Sequence, residues 1–205
     1  MTGIYIATED LLSETVVERL IEDVDHKLYV AVKVGKRGNG YLRKKLNEFL
    51  ALSSSIPVIM LTDLDQSACP ASLIDDWRGR RILPQTFLFR VAVRETETWL
   101  LADREGFSNY SGVPIHRIPV DPENLDNPKE ALLELIRRYG NRTAKAEILP
   151  SPHSTAKVAT TYNQTLCGFV KRSWSIDSAV QSSNSLKRAR QRIEELRLYL
   201  ESAGE

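Results

Sequence analysis

The sequence predicts an α/β fold, with a central, mostly parallel sheet flanked by helices and followed by a helical C-terminal part. Three observations lead there. Short runs such as Ile4-Tyr5-Ile6-Ala7 and Ile56-Pro57-Val58-Ile59-Met60-Leu61 are dense in β-branched and aliphatic residues and read as strands buried on both faces. These runs alternate with segments whose apolar residues recur every three or four positions, the pattern of strand–helix–strand units with a parallel sheet. Beyond about residue 105 the strand signal stops and helix punctuation takes over.

Taken in order, the first strand is Ile4 to Ala7, ending in Thr8-Glu9. Val17, Leu20, Ile21 and Val24 then recur at helical spacing, and Thr15 with Glu18 has capping-box spacing near the helix start. Lys27 to Val34 is the second strand. The turn Gly35-Lys36-Arg37-Gly38-Asn39-Gly40 leads into a helix carrying Leu42, Leu46, Phe49 and Leu50. The strand from Ile56 to Leu61 runs into Thr62-Asp63-Leu64-Asp65, Ala71 to Trp77 is a short helix, and Phe87 to Val93 is a fourth strand. Residues 109–126 are rich in Pro, Gly and Asn and read as loop. Asn127-Pro128 with Glu130 opens a helix that Gly140 stops, because proline suits the first helical position and glycine the exit. Pro150-Ser151-Pro152 marks another break. A last helix from about Ser185 carries Leu186, Ala189, Ile193, Leu196 and Leu200 on one stripe. The expected division is an α/β core over residues 1–108 and a helical part over 109–205 packed on it.

Three carboxylates fall where apolar runs stop: Glu9 after the first strand, and Asp63 and Asp65 after the third. In open α/β sheets ligands bind beyond the carboxyl ends of the strands. Acids converging there repel one another unless a cation lies among them, and an all-oxygen ligand set suits Mg²⁺ or Mn²⁺. Such ions commonly handle phosphates.

Composition sets the outer bounds. A chain of 205 residues is long enough for a substantial core, and its 42% hydrophobic and 27% charged residues are those of an ordinary globular protein. There is no apolar run of membrane-spanning length, and the N-terminus enters a strand at once, so neither a transmembrane helix nor a signal peptide is expected. Cys69 and Cys167 stand far apart in no metal-ligand spacing, which makes a cytoplasmic protein with reduced thiols the expectation. A net charge of +1 leaves any attraction for phosphate to local clusters.

A glutamate after the first strand and an Asp-x-Asp after a later one resembles the Toprim arrangement shared by topoisomerases, bacterial primases and overcoming-lysogenisation-defect nucleases. Here the motif residues are Thr8-Glu9-Asp10 and Asp63-Leu64-Asp65. The phrase Glu95-Thr96-Glu97-Thr98-Trp99-Leu100-Leu101-Ala102-Asp103 is similar to the Glu-x-Trp-Leu-Leu-Ala-Asp signature of a prokaryotic Toprim-like group, domain-of-unknown-function family 4276. Ala156-Lys157 and Ser185-Leu186-Lys187-Arg188-Ala189 extend the likeness more loosely. The resemblance implies a Toprim-like Rossmannoid core and metal-dependent nuclease chemistry, often beside a partner ATPase in phage defence. It also implies Glu97 as a second-metal ligand or a base for water, and Lys157 against a scissile phosphate. One departure stands out. Members of the group often have Gly after the second aspartate, where this chain has Gln66.

Plainer roles compete at each position. Glu9 also suits a helix N-terminus by its charge, Glu95 reads equally as a surface residue, and Asp103 equally as a cap of the next helix or as an outer support of the metal ligands. The loop from Gly35 to Lys45 has P-loop-like Gly35-x-x-x-x-Gly40 spacing, but Tyr41-Leu42 replaces the required Lys-Ser/Thr, which excludes nucleoside triphosphate binding in that manner. Its Lys36, Arg37, Arg43 and Lys44 remain candidates for contacts to substrate phosphate. The clusters Trp77-Arg78-Gly79-Arg80-Arg81 and Lys187 to Arg192 read as solvated faces, and His153 as a surface histidine.

The expected function is therefore Mg²⁺- or Mn²⁺-dependent hydrolysis of nucleic-acid phosphodiesters, with Glu9, Asp63, Asp65 and Glu97 as metal ligands and Lys157 on the phosphate. The alternatives are a non-catalytic Toprim-like adaptor of a partner ATPase and a haloacid-dehalogenase-type phosphatase. Asp63-Leu64-Asp65-Gln66-Ser67 approaches the phosphatase motif, but that family places it near the start of the chain and would leave Glu9 and Glu97 unexplained. Whether the substrate is DNA or RNA, and whether the chain forms a homo-oligomer, stay open.

Overall fold

A computed structural model describes residues 1–203. The chain divides into two units, Met1–Val93 together with the segment from Ser185 onward, and Arg94–Asn184. The division expected at 108/109 thus falls at 93/94, and the last helix groups with the first unit. Distant contacts decide this, and they leave no mark on the composition of a boundary.

In the first unit, β1 (Thr2–Thr8), β2 (Leu28–Gly35), β3 (Val58–Asp63) and β4 (Phe87–Ala92) form one all-parallel sheet in the order β2-β1-β3-β4. The crossovers are α1 (Leu11–Val24), α2 (Asn39–Leu52) and α3 (Pro70–Arg78). This is the α/β core, flanked by helices, that the strand–helix alternation predicts. The chain leaves β1 toward β2 on one side, then returns past β1 to β3 and on to β4. Crossovers of the usual right hand then place α1 on one face and α2 and α3 on the other. Burial follows this alternation. Ala7, Val58, Met60, Phe87 and Phe89 cluster with Leu42, Leu46 and Phe49 of α2 and Leu73 of α3. The opposite parity, Ile4, Ile6, Ile59 and Leu61, is as fully buried, and α1 offers Leu12, Val16, Leu20 and Ile21 to it. Both faces are covered along β1, β3 and β4, as a parallel sheet requires, while the edge strand β2 leaves Tyr29 and Val32 exposed.

The register fixes the sheet's carboxyl edge. Thr8 lies opposite Gly35 on one side and Leu61 on the other, and Asp63 lies opposite Ala92. The cap of α1 differs from expectation. Asp10, in extended conformation, accepts from the Ser13 amide at 2.8 Å, and Ser13 Oγ accepts from the Asp10 amide at 3.1 Å. Ser13 does the work of a capping-box glutamate, so the helix starts directly after β1. Thr15 lies inside it, donating its hydroxyl to the Leu11 carbonyl at 2.9 Å.

The second unit is helical: α4 (Thr96–Ala102), α5 (Arg104–Ser111), α6 (Pro128–Tyr139), α7 (Arg142–Ile148), α8 (Tyr162–Arg172) and α9 (Ile176–Ser182). Every residue of α4 is buried, and its Trp99-Leu100-Leu101 forms the centre of this unit. The Trp174 indole donates to the Trp99 carbonyl at 3.1 Å, and Phe107 and Phe169 meet edge to face at 5.9 Å. The start and stop expected for α6 are observed, with the Gly140 amide donating to Ile136 at 2.9 Å. The predicted loop over 109–126 begins late, because α5 continues to Ser111, and it contains two short 3₁₀ turns.

Back in the first unit, α10 (Asn184–Ala203) buries Leu186, Ala189, Ile193 and Leu196, most of the predicted stripe. Its Arg190 pairs with Asp23 of α1 at 2.8 Å, and Arg192 with Glu195, so part of the basic run at 187–192 is spent on ion pairs. Among the described residues no helix is long and apolar enough to cross a membrane.

Candidate functional site

The sheet order creates a crevice. Because α1 and α2 leave toward opposite faces, the strand order reverses between β1 and β3, and in open α/β sheets such a reversal is where ligands bind. Glu9 is the residue after β1, Asp63 closes β3, and Asp65 follows two residues later. Glu9 spans the crevice. Its Oε1 accepts the Asp63 amide at 2.9 Å and the buried Thr62 hydroxyl. Burial pushes the Glu9 carboxyl above its ordinary value. The hydrogen bonds from Thr62 and Asp63 oppose that shift, while the Asp65 and Asp10 charges add to it, and desolvation wins.

A glycine turn closes over this edge. Gly35 (φ +111°) and Lys36 (φ +58°) bend the chain out of β2. The Lys36 amide then donates to the Thr8 carbonyl at 2.9 Å, and the Gly38 amide to the Glu9 carbonyl at 3.1 Å. Glycine is required at 35, since a Cβ there would lie 1.9 Å from the Thr8 oxygen. One residue further, Asn39 donates its side-chain amide to Asp65 Oδ2 at 3.0 Å. Asp65 itself sits in the left-handed region at φ +48°, an uncommon backbone state for a residue with a Cβ and one enriched at functional sites.

The four candidate phosphate contacts are not alike. Lys36 pairs with the buried Glu14 at 3.2 Å, and Arg37 stacks over the Tyr41 ring at 5.5 Å, both at the turn bonded to the Glu9 backbone. Arg43 pairs with Asp76 at 2.8 Å, and Lys44 is exposed further along α2.

Glu97 belongs to the second unit. It is 5% exposed in α4, accepts the Tyr162 hydroxyl at 2.8 Å and has the Lys129 ammonium 3.8 Å away. That ammonium also lies over the Tyr162 ring, 4.8 Å from its centre. Burial pushes the Glu97 carboxyl up, against the smaller effects of Lys129 and Tyr162. Glu95 accepts the Lys129 amide at 2.7 Å, so it anchors the start of α6 and is not simply a surface acid. Asp103 caps α5 through the Gly106 amide at 3.0 Å, as the capping role weighed for it expects, and also accepts the Ser175 amide at 2.7 Å. Lys157 lies exposed in the irregular segment between α7 and α8.

The structure therefore draws Glu9, Asp63 and Asp65 to one sheet edge in the first unit, with Thr62 and Asn39 as partners. It gathers Glu97, Lys129 and Tyr162 in the second. Thr62, Asn39, Lys129 and Tyr162 were not singled out by sequence. The threonine before Asp63 was the only local signal, and the others reach their partners across tens of residues. Among the described residues no group of three or more His, Cys, Asp or Glu side chains stands ready-made to hold a metal ion. Both cysteines are free thiols, Cys69 exposed and Cys167 buried.

No family model matches the sequence, and no curated protein matches it. Among solved structures, the chain is similar to the C-terminal region of the Burkholderia pseudomallei OLD protein, with 16% identity and a TM-score of 0.46, over 94% of this chain and 97% of that one.

Proposed function

We propose that this chain is a divalent-metal-dependent hydrolase of nucleic-acid phosphodiesters, of the Toprim kind and related to domain-of-unknown-function family 4276. The observation that carries the reading is Glu9 bonded across the strand-order reversal to the end of β3, with Asp63 and Asp65 beside it. The donor chemistry fits Mg²⁺ or Mn²⁺. All the ligating atoms are carboxylate oxygens, Glu9 is raised by burial and by its acidic neighbours, and a cation would offset that cost. When bound, the metal would polarise the phosphodiester and make water a better nucleophile.

The chain's own residues do the rest. Thr62 and the Asp63 amide hold one oxygen of Glu9 and so fix its orientation, and Asn39 steadies Asp65. Lys36 and Arg37, on the turn bonded to Glu9, attract the substrate phosphate. In this reading Glu97 is a second ligand or the base for water, and Lys157 contacts the scissile phosphate. The protein would act in the cytoplasm, with a partner ATPase presenting the substrate, as in phage defence.

The test compares wild type with Asp63→Ala and Asp65→Asn on plasmid, single-stranded DNA and tRNA, with Mn²⁺ and with EDTA. Cleavage that needs Mn²⁺ and vanishes in both variants supports the reading. Cleavage that survives either substitution points to another site or to a contaminant. A second reading, a non-catalytic adaptor of a partner ATPase, is favoured by the lack of a ready-made ligand cage among the described residues. A stable complex with an ATPase, and no cleavage by that complex with Mn²⁺, would favour it.

A further inference from the structure

The second unit carries a cleft of about 750 Å³ that none of the predicted site residues lines. Its two walls follow from local structure. One is a face of α7, where Arg142, Lys145, Ala146 and Leu149 recur at helical spacing, while Ala144 and Ile148 point into the core. The other is the segment after Pro150, folded back along the same helix. The Ala159 amide donates to the Ile148 carbonyl at 3.1 Å, and the Thr161 hydroxyl to the Glu147 carbonyl at 2.6 Å.

The charge of this cleft is one-sided. Most cations that line clefts elsewhere share the wall with an acid: Arg192 with Glu195, Arg138 with Glu134, and Arg190 with Asp23. No carboxylate lines the α7 cleft, and the neighbouring Glu147 is engaged by the Thr165 hydroxyl at 3.2 Å. Arg142 and Lys145 make no ion pair among the described residues, unlike Arg43, Arg78, Arg137 and Arg197. One helical turn apart, their side chains start about 5–6 Å from each other and can converge on one phosphate. The rest of the lining sets apolar groups from Leu149, Pro150, Pro152 and Val158 among the hydroxyl-bearing Ser151, Ser154, Thr160 and Thr161. Cations on the α7 wall with apolar groups beside them match a nucleotide, whose phosphate is anionic and whose base can pack against apolar side chains. The volume is in the range of small-molecule sites.

We propose that this cleft binds a nucleotide within a single strand of nucleic acid, its phosphate on Arg142 and Lys145 and its base against the Leu149–Pro152 floor. The proposal rests on the nucleic-acid reading above but requires neither metal nor cleavage.

The experiment measures binding of a fluorescein-labelled 15-nucleotide DNA strand to the full chain by anisotropy, in EDTA, from 20 to 200 mM salt. Arg142→Ala/Lys145→Ala is expected to weaken binding at least tenfold at low salt. It should also flatten the plot of log affinity against log salt by about 0.7, one phosphate contact. Lys171→Ala/Arg172→Ala, which removes two exposed charges from α8, is expected to stay within twofold of wild type. Circular dichroism checks that both double variants are folded, and Leu149→Asn/Val158→Asn tests the floor with all charges kept. Equal affinity and slope for wild type and the Arg142/Lys145 variant would overturn the proposal. So would a fluorescent mononucleotide that binds as tightly as the strand. Binding is read in EDTA and cleavage with Mn²⁺, so a failure of this cleft to bind and a failure of the acid edge to cleave are separate results.

Discussion

A methyl group added at Gly35 measures how firmly the basic turn is fastened to the acid edge. The added Cβ would lie 1.9 Å from the Thr8 carbonyl oxygen, about 1 Å inside the closest approach a Cβ tolerates, and 3.0 Å from two further backbone atoms of Thr8. None of these is the end of a flexible side chain, so the strands have to part. Two costs follow. A side chain at φ +111° is strained by about 1–3 kcal/mol, and losing the bond from the Lys36 amide to Thr8 costs about 1 kcal/mol more. Gly35→Ala should therefore destabilise by about 2–4 kcal/mol. For a chain of this size that lowers the melting temperature by roughly 4–16 °C in scanning calorimetry. Gly40→Ala is the matched control. Its Cβ meets nothing within 4 Å and it lies in α2, where alanine is favoured over glycine by up to about 1 kcal/mol. The control should melt at or slightly above wild type. Gly35→Ala melting within two degrees of wild type would refute the close approach of β2 to β1 and the seating of the turn on Glu9.

Three further outcomes are expected. Millimolar Mn²⁺ should raise the melting temperature of wild type, because a ligand of the folded state alone stabilises it, by about 2.7 kcal/mol at a hundred times its dissociation constant. Asp65→Asn should melt higher than wild type without metal and lose the shift, and identical responses of the two proteins would remove the ion from this edge. Burial raises the Glu97 carboxyl above its ordinary 4.5, so the folded chain holds that proton more tightly than the unfolded one. The stability this contributes is full below about pH 4.5 and is lost as pH rises through the raised value. The melting temperature of Glu97→Gln minus that of wild type should accordingly grow with pH above 4.5, and parallel curves would mean that Glu97 titrates as an ordinary acid. Hydrogen bonding from Ser72 lowers the pKa of the exposed Cys69 thiol, whereas Cys167 is only 7% exposed. Iodoacetamide at pH 7.5 should alkylate Cys69 at least tenfold faster, by mass spectrometry, and similar rates for the two cysteines would contradict the burial of α8.

Sequence alone determined the features that rest on neighbours in the chain. The β-branched runs ending in Glu9 and Asp63 sufficed for buried parallel strands, because alternation and run length are local. Asn127-Pro128 and Gly140 bounded α6 for the same reason, since proline and glycine act on their own backbone. Tertiary structure decided the strand order β2-β1-β3-β4 and, with it, the crevice that sets Glu9 against the end of β3. Crossover handedness narrows such choices, but Tyr5 of β1 pairs with Val58 of β3 and Val58 with Phe87 of β4, and no local pattern names such distant partners. The partners Asn39, Lys129 and Tyr162 were illegible for that reason, each being defined by a bond to a residue 26 to 65 positions away or by an ion pair between helices. Helices α7 and α9 also escaped, because seven residues make barely two turns, too few to show a period, and such helices are held mainly by what they pack against. The phrase Trp99-Leu100-Leu101 illustrates the division. Its apolar character was plain in the sequence, but its place inside the helical unit depends on Trp174 and on α6 and α9, which arrive from elsewhere in the chain and pack on α4.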